Sequence, residues 1–187
     1  VLRAGADKVS LNTAAINRPE LVSEAANRFG SSTIVVSIEA IKRPDGSYEA
    51  YTDNGRESTG VDAFEWAVKA ADLGAGELIV TSIDREGTGQ GFDLELIHTI
   101  STSVSVPVIA CGGGGKAEHV SEVIKDGKAD AVSVASILHY ESLSSLSEEE
   151  GEYEREGNVE YLRGERTFSL VHPTPIQEIK RHLIDAG

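Results

Sequence analysis

The stretch ELIVTSIDREGTGQGFD, from Glu77 to Asp93, decides how the chain folds. Its short apolar run, Leu78 to Val80, breaks into small polar residues, acids and the glycines Gly87, Gly89 and Gly91 before a helical pattern opens at Asp93. A buried strand therefore runs into a glycine-rich loop and then a helix. Such a junction is where alternating strand and helix chains hold ligands, because the loop carries the chemistry and the sheet beneath keeps it still.

The same unit recurs on both sides. Upstream, Lys8 to Leu11 reads as a short strand ended by Asn12-Thr13. A helix follows from Arg18 to Phe29, with Asn17 and Glu20 as a capping pair, Pro19 in the first turn and Gly30 as the stop. Ile34 to Ile38 is a strand rich in β-branched residues, as a strand covered on both faces requires, and it ends on Glu39. Turn signals at Pro44-Asp45-Gly46 and Asp53-Asn54-Gly55 flank Tyr48 to Thr52 and predict a β-hairpin set into the loop before the next helix, Asp62 to Leu73. Downstream, a helix from Asp93 to Ser103 leads to the strand Pro107 to Ala110, which ends at Cys111 and four glycines. Lys116 to Lys125 is helical, Ala129 to Val134 is the last strand, and Ala135 to Tyr140 opens a short helix. Helical crossovers between strands demand a parallel sheet with right-handed connections.

Residues Glu141 to His172 break this rhythm. They are serine-rich, then strongly acidic, and are expected to form a solvated or partly disordered insertion. Thr174-Pro175-Ile176-Gln177 then predicts an N-cap, a first-turn proline and a capping-box glutamine for a final helix reaching Asp185.

Composition narrows the function classes. The 187 residues are 40% apolar, enough for the core of one domain. A formal charge of −14 argues against nucleic acid or an anionic membrane as partner. It leaves phosphorylated small molecules open, since backbone amides at helix starts bind phosphate whatever the net charge. Cys111 is the only cysteine, which excludes an internal disulfide, and no apolar run approaches a membrane span, so a cytoplasmic location is expected. The chain opens on Val1 and contains no methionine, and it is expected to be part of a longer chain.

Two segments at strand ends fit phosphate binding. Gly112 to Gly115 follows a strand and opens a helix, so bare amides can approach an anion at the positive end of the helix dipole. Ala135-Ser136 repeats the arrangement one strand later with a hydroxyl added, and adjacent loops of this kind form the phosphate site of many (β/α)8 barrels. Asn12-Thr13 is either a capping arrangement or a second anion site. Glu39, where a strand gives way to its loop, is either a general acid or base or a structural partner. His119 and His139 read as packing or surface residues and Cys111 as a small filler, and no His, Cys and carboxylate spacing implies a metal.

Together GADKVSLNTAA, VVSIEA, TGVDAFEWA, the Glu77–Asp93 stretch and PVIACGGGGKAEH resemble the cyclase-subunit family of imidazole glycerol phosphate synthase, in histidine biosynthesis. The resemblance covers Val1 to His139, and the hairpin KRPDGSYEAYTDNGRESTG looks like the cyclase rather than its sister isomerase. It implies a (β/α)8 barrel of which this chain supplies strands four to eight in one incomplete domain, interrupted by the acidic insertion. It also implies a lyase that takes ammonia from a partner glutaminase and closes an imidazole ring on a bisphosphorylated ribulosyl substrate. The products would be imidazole glycerol phosphate and aminoimidazole carboxamide ribotide, and no cofactor is called for.

Two phosphates on one substrate match the two anion sites. Asn12 and Thr13 would hold one, and Gly87, Gly112, Gly113, Ala135 and Ser136 the other. Thr81 matches a substrate-contacting position, and Glu86 stands where the family usually has Asp. Of the family's two strand-end aspartates, the first has no counterpart in this chain and the second falls on Glu39, one methylene longer. Lys8 and Glu77, at the other end of the strands, match a charged gate through which ammonia enters from the glutaminase, with Asp7 at that partner's surface. The chain by itself is therefore expected to be inactive. The sister isomerase of the pathway and a non-catalytic, self-associating phosphate-binding half-barrel are the alternatives.

Overall fold

In the computed structural model, which describes residues 1–146 and 170–185, five strands pair in parallel, and a helix follows each of them before the next, after β2 by way of a hairpin. They are β1 (Val9–Leu11), β2 (Ile34–Lys42), β5 (Glu77–Ser82), β6 (Val108–Cys111) and β7 (Ala131–Ser133). Between β2 and β5 in the chain comes a hairpin, β3 (Tyr48–Thr52) and β4 (Glu57–Asp62), with β3 antiparallel to both β2 and β4. The helices are α1 (Thr13–Asn17), α2 (Glu20–Phe29), α3 (Ala63–Asp72), α4 (Leu94–Ser103), α5 (Ala117–Lys125), α6 (Ser136–Leu146) and α7 (Ile176–Asp185). The described sheet runs β4-β3-β2-β5-β6-β7 with β1 beside β2, and it is not closed. This is the α/β order of a (β/α)8 barrel with five of its parallel strands in place.

Side chains alternate faces along a strand, so the register sorts the sheet into rows. On the helix-covered face, Ile34, Val36, Ile38, Ala40, Leu78, Val80, Val108 and Ala110 are fully buried. The other face carries Ser37, Ile79 and Ile109 in one row and Glu39, Thr81, Cys111 and Ser133 in the next, at the C-terminal ends of the strands. Both rows are more open than the helix-covered face, Thr81 excepted, because nothing in the described sheet closes over them.

The local differences from expectation have physical causes. β2 continues past Glu39 to Lys42 because β3 takes over the edge that β1 leaves: β1 pairs with Ile34–Val36, and β3 with Glu39–Lys42. The expected helix from Arg18 is two helices. Pro19 forces Arg18 out of the helical region (φ −142°, ψ 84°), which ends α1 at Asn17. Asn17 is therefore no cap. Pro19 itself takes the N-cap of α2, without a side-chain bond. Thr174 is likewise displaced: its hydroxyl donates to the His172 carbonyl at 2.8 Å, while the Pro175 carbonyl accepts the first amides of α7. α6 runs six residues beyond Tyr140, and residues 147–169, most of the expected insertion, lie outside the described residues.

Two caps do match the sequence and also fix the hairpin. Asp62 accepts amides of Phe64 and Glu65 at the start of α3. Asp93 caps α4 through the Leu96 amide and accepts the Tyr48 hydroxyl at 3.0 Å. Tyr48 is 1% exposed, and burial, reinforced by the Asp93 carboxylate, pushes its phenol up to about 12. Lys42 lies over the Tyr48 ring and pairs with Glu95, which ties the end of β2 to the hairpin and to α4.

Candidate active site

The strand ends β5, β6 and β7 meet in a cleft of about 240 Å³. It is lined by Glu86 and Gly87 from the loop after β5, Gly112 and Gly113 after β6, and Ala135 and Ser136 after β7. These six were each singled out from the sequence, and the fold brings them together. Ala135 is the N-cap of α6, its carbonyl accepting the His139 amide at 2.9 Å, so the first amides of that helix lack partners within it. Cys111 and Ser133, neither of them expected at the site, also line the cleft. The strand alternation carries their signal: each is register-paired with its neighbour, and Cys111 with Thr81.

The four glycines are not all there for a ligand. Gly112 (φ 88°) and Gly113 (φ 102°) adopt left-handed backbone, and a Cβ on Gly113 would run into the Gly91 carbonyl. Gly115 is instead required by packing, because a Cβ there would meet the carbonyls of Gly89 and Leu170. The loop is held by the Gly91 amide on the Gly113 carbonyl (2.8 Å) and the His172 amide on the Gly115 carbonyl (2.7 Å). Leu170 to His172, just after the acidic stretch, thus lean on the cleft's own loop.

Glu39, Asn12 and Thr13 lie outside this cleft, Glu39 on β2 and the other two at the junction of β1 and α1. Glu39 stands on the same row as Thr81, and its Oε2 is buried with no hydrogen-bond partner. A carboxylate oxygen left bare costs stability, which is the usual mark of a group kept for a ligand. Asn12 is the N-cap of α1 without a capping bond, and its Oδ1 is also buried and unpartnered. Thr13 is engaged: its hydroxyl accepts the Asp53 amide at 3.2 Å, which pins the hairpin turn over the end of β1.

Lys8 and Glu77 form an ion pair at the opposite end of the strands. The pair is between β1 and β5, two strands separated by β2, and so it crosses the open face of the sheet. A larger cleft, about 740 Å³, opens beside the hairpin among Lys42, Arg43, Asp84 and Arg85, and it shares no lining residue with the smaller one. Its lysine pairs with Glu95 and its Arg43 with Glu49. Among the described residues no group of three or more His, Cys, Asp or Glu is arranged to hold a metal, and no helix is long and apolar enough to cross a membrane.

Comparison with known proteins gives the same outline. The chain is 55% identical over 144 residues to imidazole glycerol phosphate synthase subunit HisF of Lachnoclostridium phytofermentans, a match covering 76% of this chain and 56% of that protein. It is 55% identical over 138 residues to the subunit of the same name from Symbiobacterium thermophilum, covering 74% of this chain and 54% of that protein. The chain thus spans about half the length of the curated relatives it matches. The histidine biosynthesis protein family matches residues 1–144, from the turn before β1 into α6. That interval contains every strand and every site residue described above, and the chain belongs to this family.

Proposed function

We propose that these residues form the phosphate-holding side and one catalytic carboxylate of a cyclase that builds the imidazole ring in histidine biosynthesis. The observation that carries this reading is the strand-end row. An unpartnered, buried Glu39 oxygen stands level with Thr81 and Cys111, beside a cleft lined by the glycines Gly87, Gly112 and Gly113 and the start of α6, the kind of place where backbone amides hold a phosphate. Glu39 acts there as general acid or base. Asn12, with its bare Oδ1, and Thr13 hold the second phosphate of a bisphosphorylated ribulosyl aminoimidazole carboxamide. Ammonia reaches the row from the end marked by Lys8 and Glu77, where a glutaminase subunit docks against the face carrying Asp7, in the cytoplasm. The 187 residues contain one of the two strand-end acids this chemistry needs, so by themselves they turn over no substrate.

The test is a side-by-side assay of the gene product that carries these residues. One arm supplies the bisphosphorylated ribulosyl substrate with ammonia, and the other the aldose bisphosphate of the sister isomerase. The expected result is release of imidazole glycerol phosphate and aminoimidazole carboxamide ribotide in equal amounts in the first arm and no conversion in the second. Conversion of the aldose alone would overturn the proposal.

A further inference from the structure

A run of glycines has no side chains to hold its shape, and glycine backbone is the most permissive of all. The loop Gly112–Gly115 is nevertheless tied at three points. Two are the backbone bonds from Gly91 and His172 described above, which no change of pH touches. The third is different in kind: the Gly115 amide donates to Nδ1 of His119 at 3.1 Å. His119 is the third residue of α5 and reaches back four residues, much as an N3 side chain does in a capping box, while the N-cap residue Lys116 supplies no side-chain cap of its own.

An Nδ1 that accepts carries no proton, so the ring is neutral with its hydrogen on Nε2. The ring is half-buried, and a Cβ on Gly91 would sit 3.4 Å from it, so it fills the space between the loops after β5 and β6. Burial holds its pKa below the ordinary 6.5. Lys116 and His172 push the same way, while Glu122 and Glu118 oppose. Once protonated, the ring presents N–H to N–H at Gly115, and an attraction becomes a repulsion.

We propose that His119 is a positioning residue whose neutral imidazole pins Gly115 and with it the glycine loop in its anion-accepting shape, so that protonation loosens the loop and weakens anion binding in the cleft. This rests on the phosphate reading of that cleft. Simple charge attraction predicts the opposite slope, since a cationic histidine nearby would tighten an anion. The folding consequence has the same direction. Because the folded pKa is depressed, the contribution of His119 to stability is complete above the unfolded value of 6.5 and is lost as pH falls through the folded value.

The experiment titrates sulfate, which keeps its charge across the range, into the gene product that carries these residues, by calorimetry between about pH 8 and about pH 5. Wild type is expected to lose roughly tenfold in affinity toward acid pH, the worth of one hydrogen bond. His119→Asn, whose amide oxygen accepts but does not titrate, should bind as wild type does at the upper pH and stay flat. His119→Leu should be weak throughout. The Gly115 amide resonance, followed without ligand, should titrate together with the His119 ring. A wild-type affinity that is flat or rises toward acid pH, the same fall in His119→Asn, or a Gly115 amide that ignores the ring would overturn the proposal. Absence of sulfate binding at the upper pH, with Gly115 still titrating, would instead remove the phosphate reading of the cleft and leave the tie standing.

Discussion

In the gene product that carries these residues, Glu39→Gln is expected to lower ammonia-dependent turnover of the bisphosphorylated substrate by roughly 10²–10⁴-fold, the range over which a positioned acid or base contributes. Its stability should stay unchanged. The wild-type carboxylate buries Oε2 without a partner. An oxygen buried without a partner adds nothing to the fold, so exchanging the carboxylate for an amide leaves the fold intact while it disables the chemistry. Glu39→Asp should retain far more activity than Glu39→Gln, since it keeps the ionisable group. The two readouts, steady-state kinetics and the urea midpoint at constant slope, separate a catalytic role from a structural one. If Glu39→Gln lost stability and activity together, Glu39 would be a structural partner.

Gly113→Ala is the second large effect. At φ 102° a Cβ is strained, and here it would also meet the Gly91 carbonyl, a backbone atom that cannot rotate away. Strain and overpacking each cost about 1–3 kcal/mol, so a destabilisation of roughly 2–6 kcal/mol is expected in urea unfolding, with loss of sulfate binding in the cleft. Gly87→Ala is the matched comparison. Gly87 has a similar left-handed backbone (φ 72°) and lines the same cleft, yet nothing lies within 4 Å of its Cβ position. It should cost only about 1–2 kcal/mol. Equal effects at the two positions would mean that the contact with Gly91 is not what shapes the loop.

The parts of the fold that were legible in the sequence are those fixed by local chemistry. Asp62 and Asp93 cap their helices because each precedes an apolar periodic run, and the five parallel strands announce themselves as short apolar runs ending in polar or glycine loops. Pro19 and Pro175 were misread, by two positions and by one: each occupies the N-cap that a preceding polar residue, Asn17 or Thr174, seemed made for. The extension of β2 to Lys42 was not read from the sequence, because the apolar run ends at Ile38 and the last residues are held in the strand by cross-strand pairing with Tyr48–Tyr51.

The site divides the same way. Loop glycines, Ala135 and Ser136 were visible because strand ends and helix starts can be counted along the chain. That Cys111 faces the cleft depends on its register with Thr81 and Ser133, a cross-strand fact. The bond from Gly115 to His119 was within reach of the sequence, since a residue three into a helix faces back over its own N-terminus. A single histidine on a helix nevertheless carries no mark that separates such a bond from ordinary packing.

The most direct test of the account is where a bisphosphorylated substrate lies in a crystal of the gene product. One phosphate is expected among Gly87, Gly113 and Ser136 and the other at Asn12 and Thr13, with the Glu39 carboxylate about 2.6–3.2 Å from a proton-bearing atom of the ligand. A phosphate seated instead in the larger cleft beside Lys42 and Arg85, with the glycine loop empty and Glu39 out of reach, would contradict it.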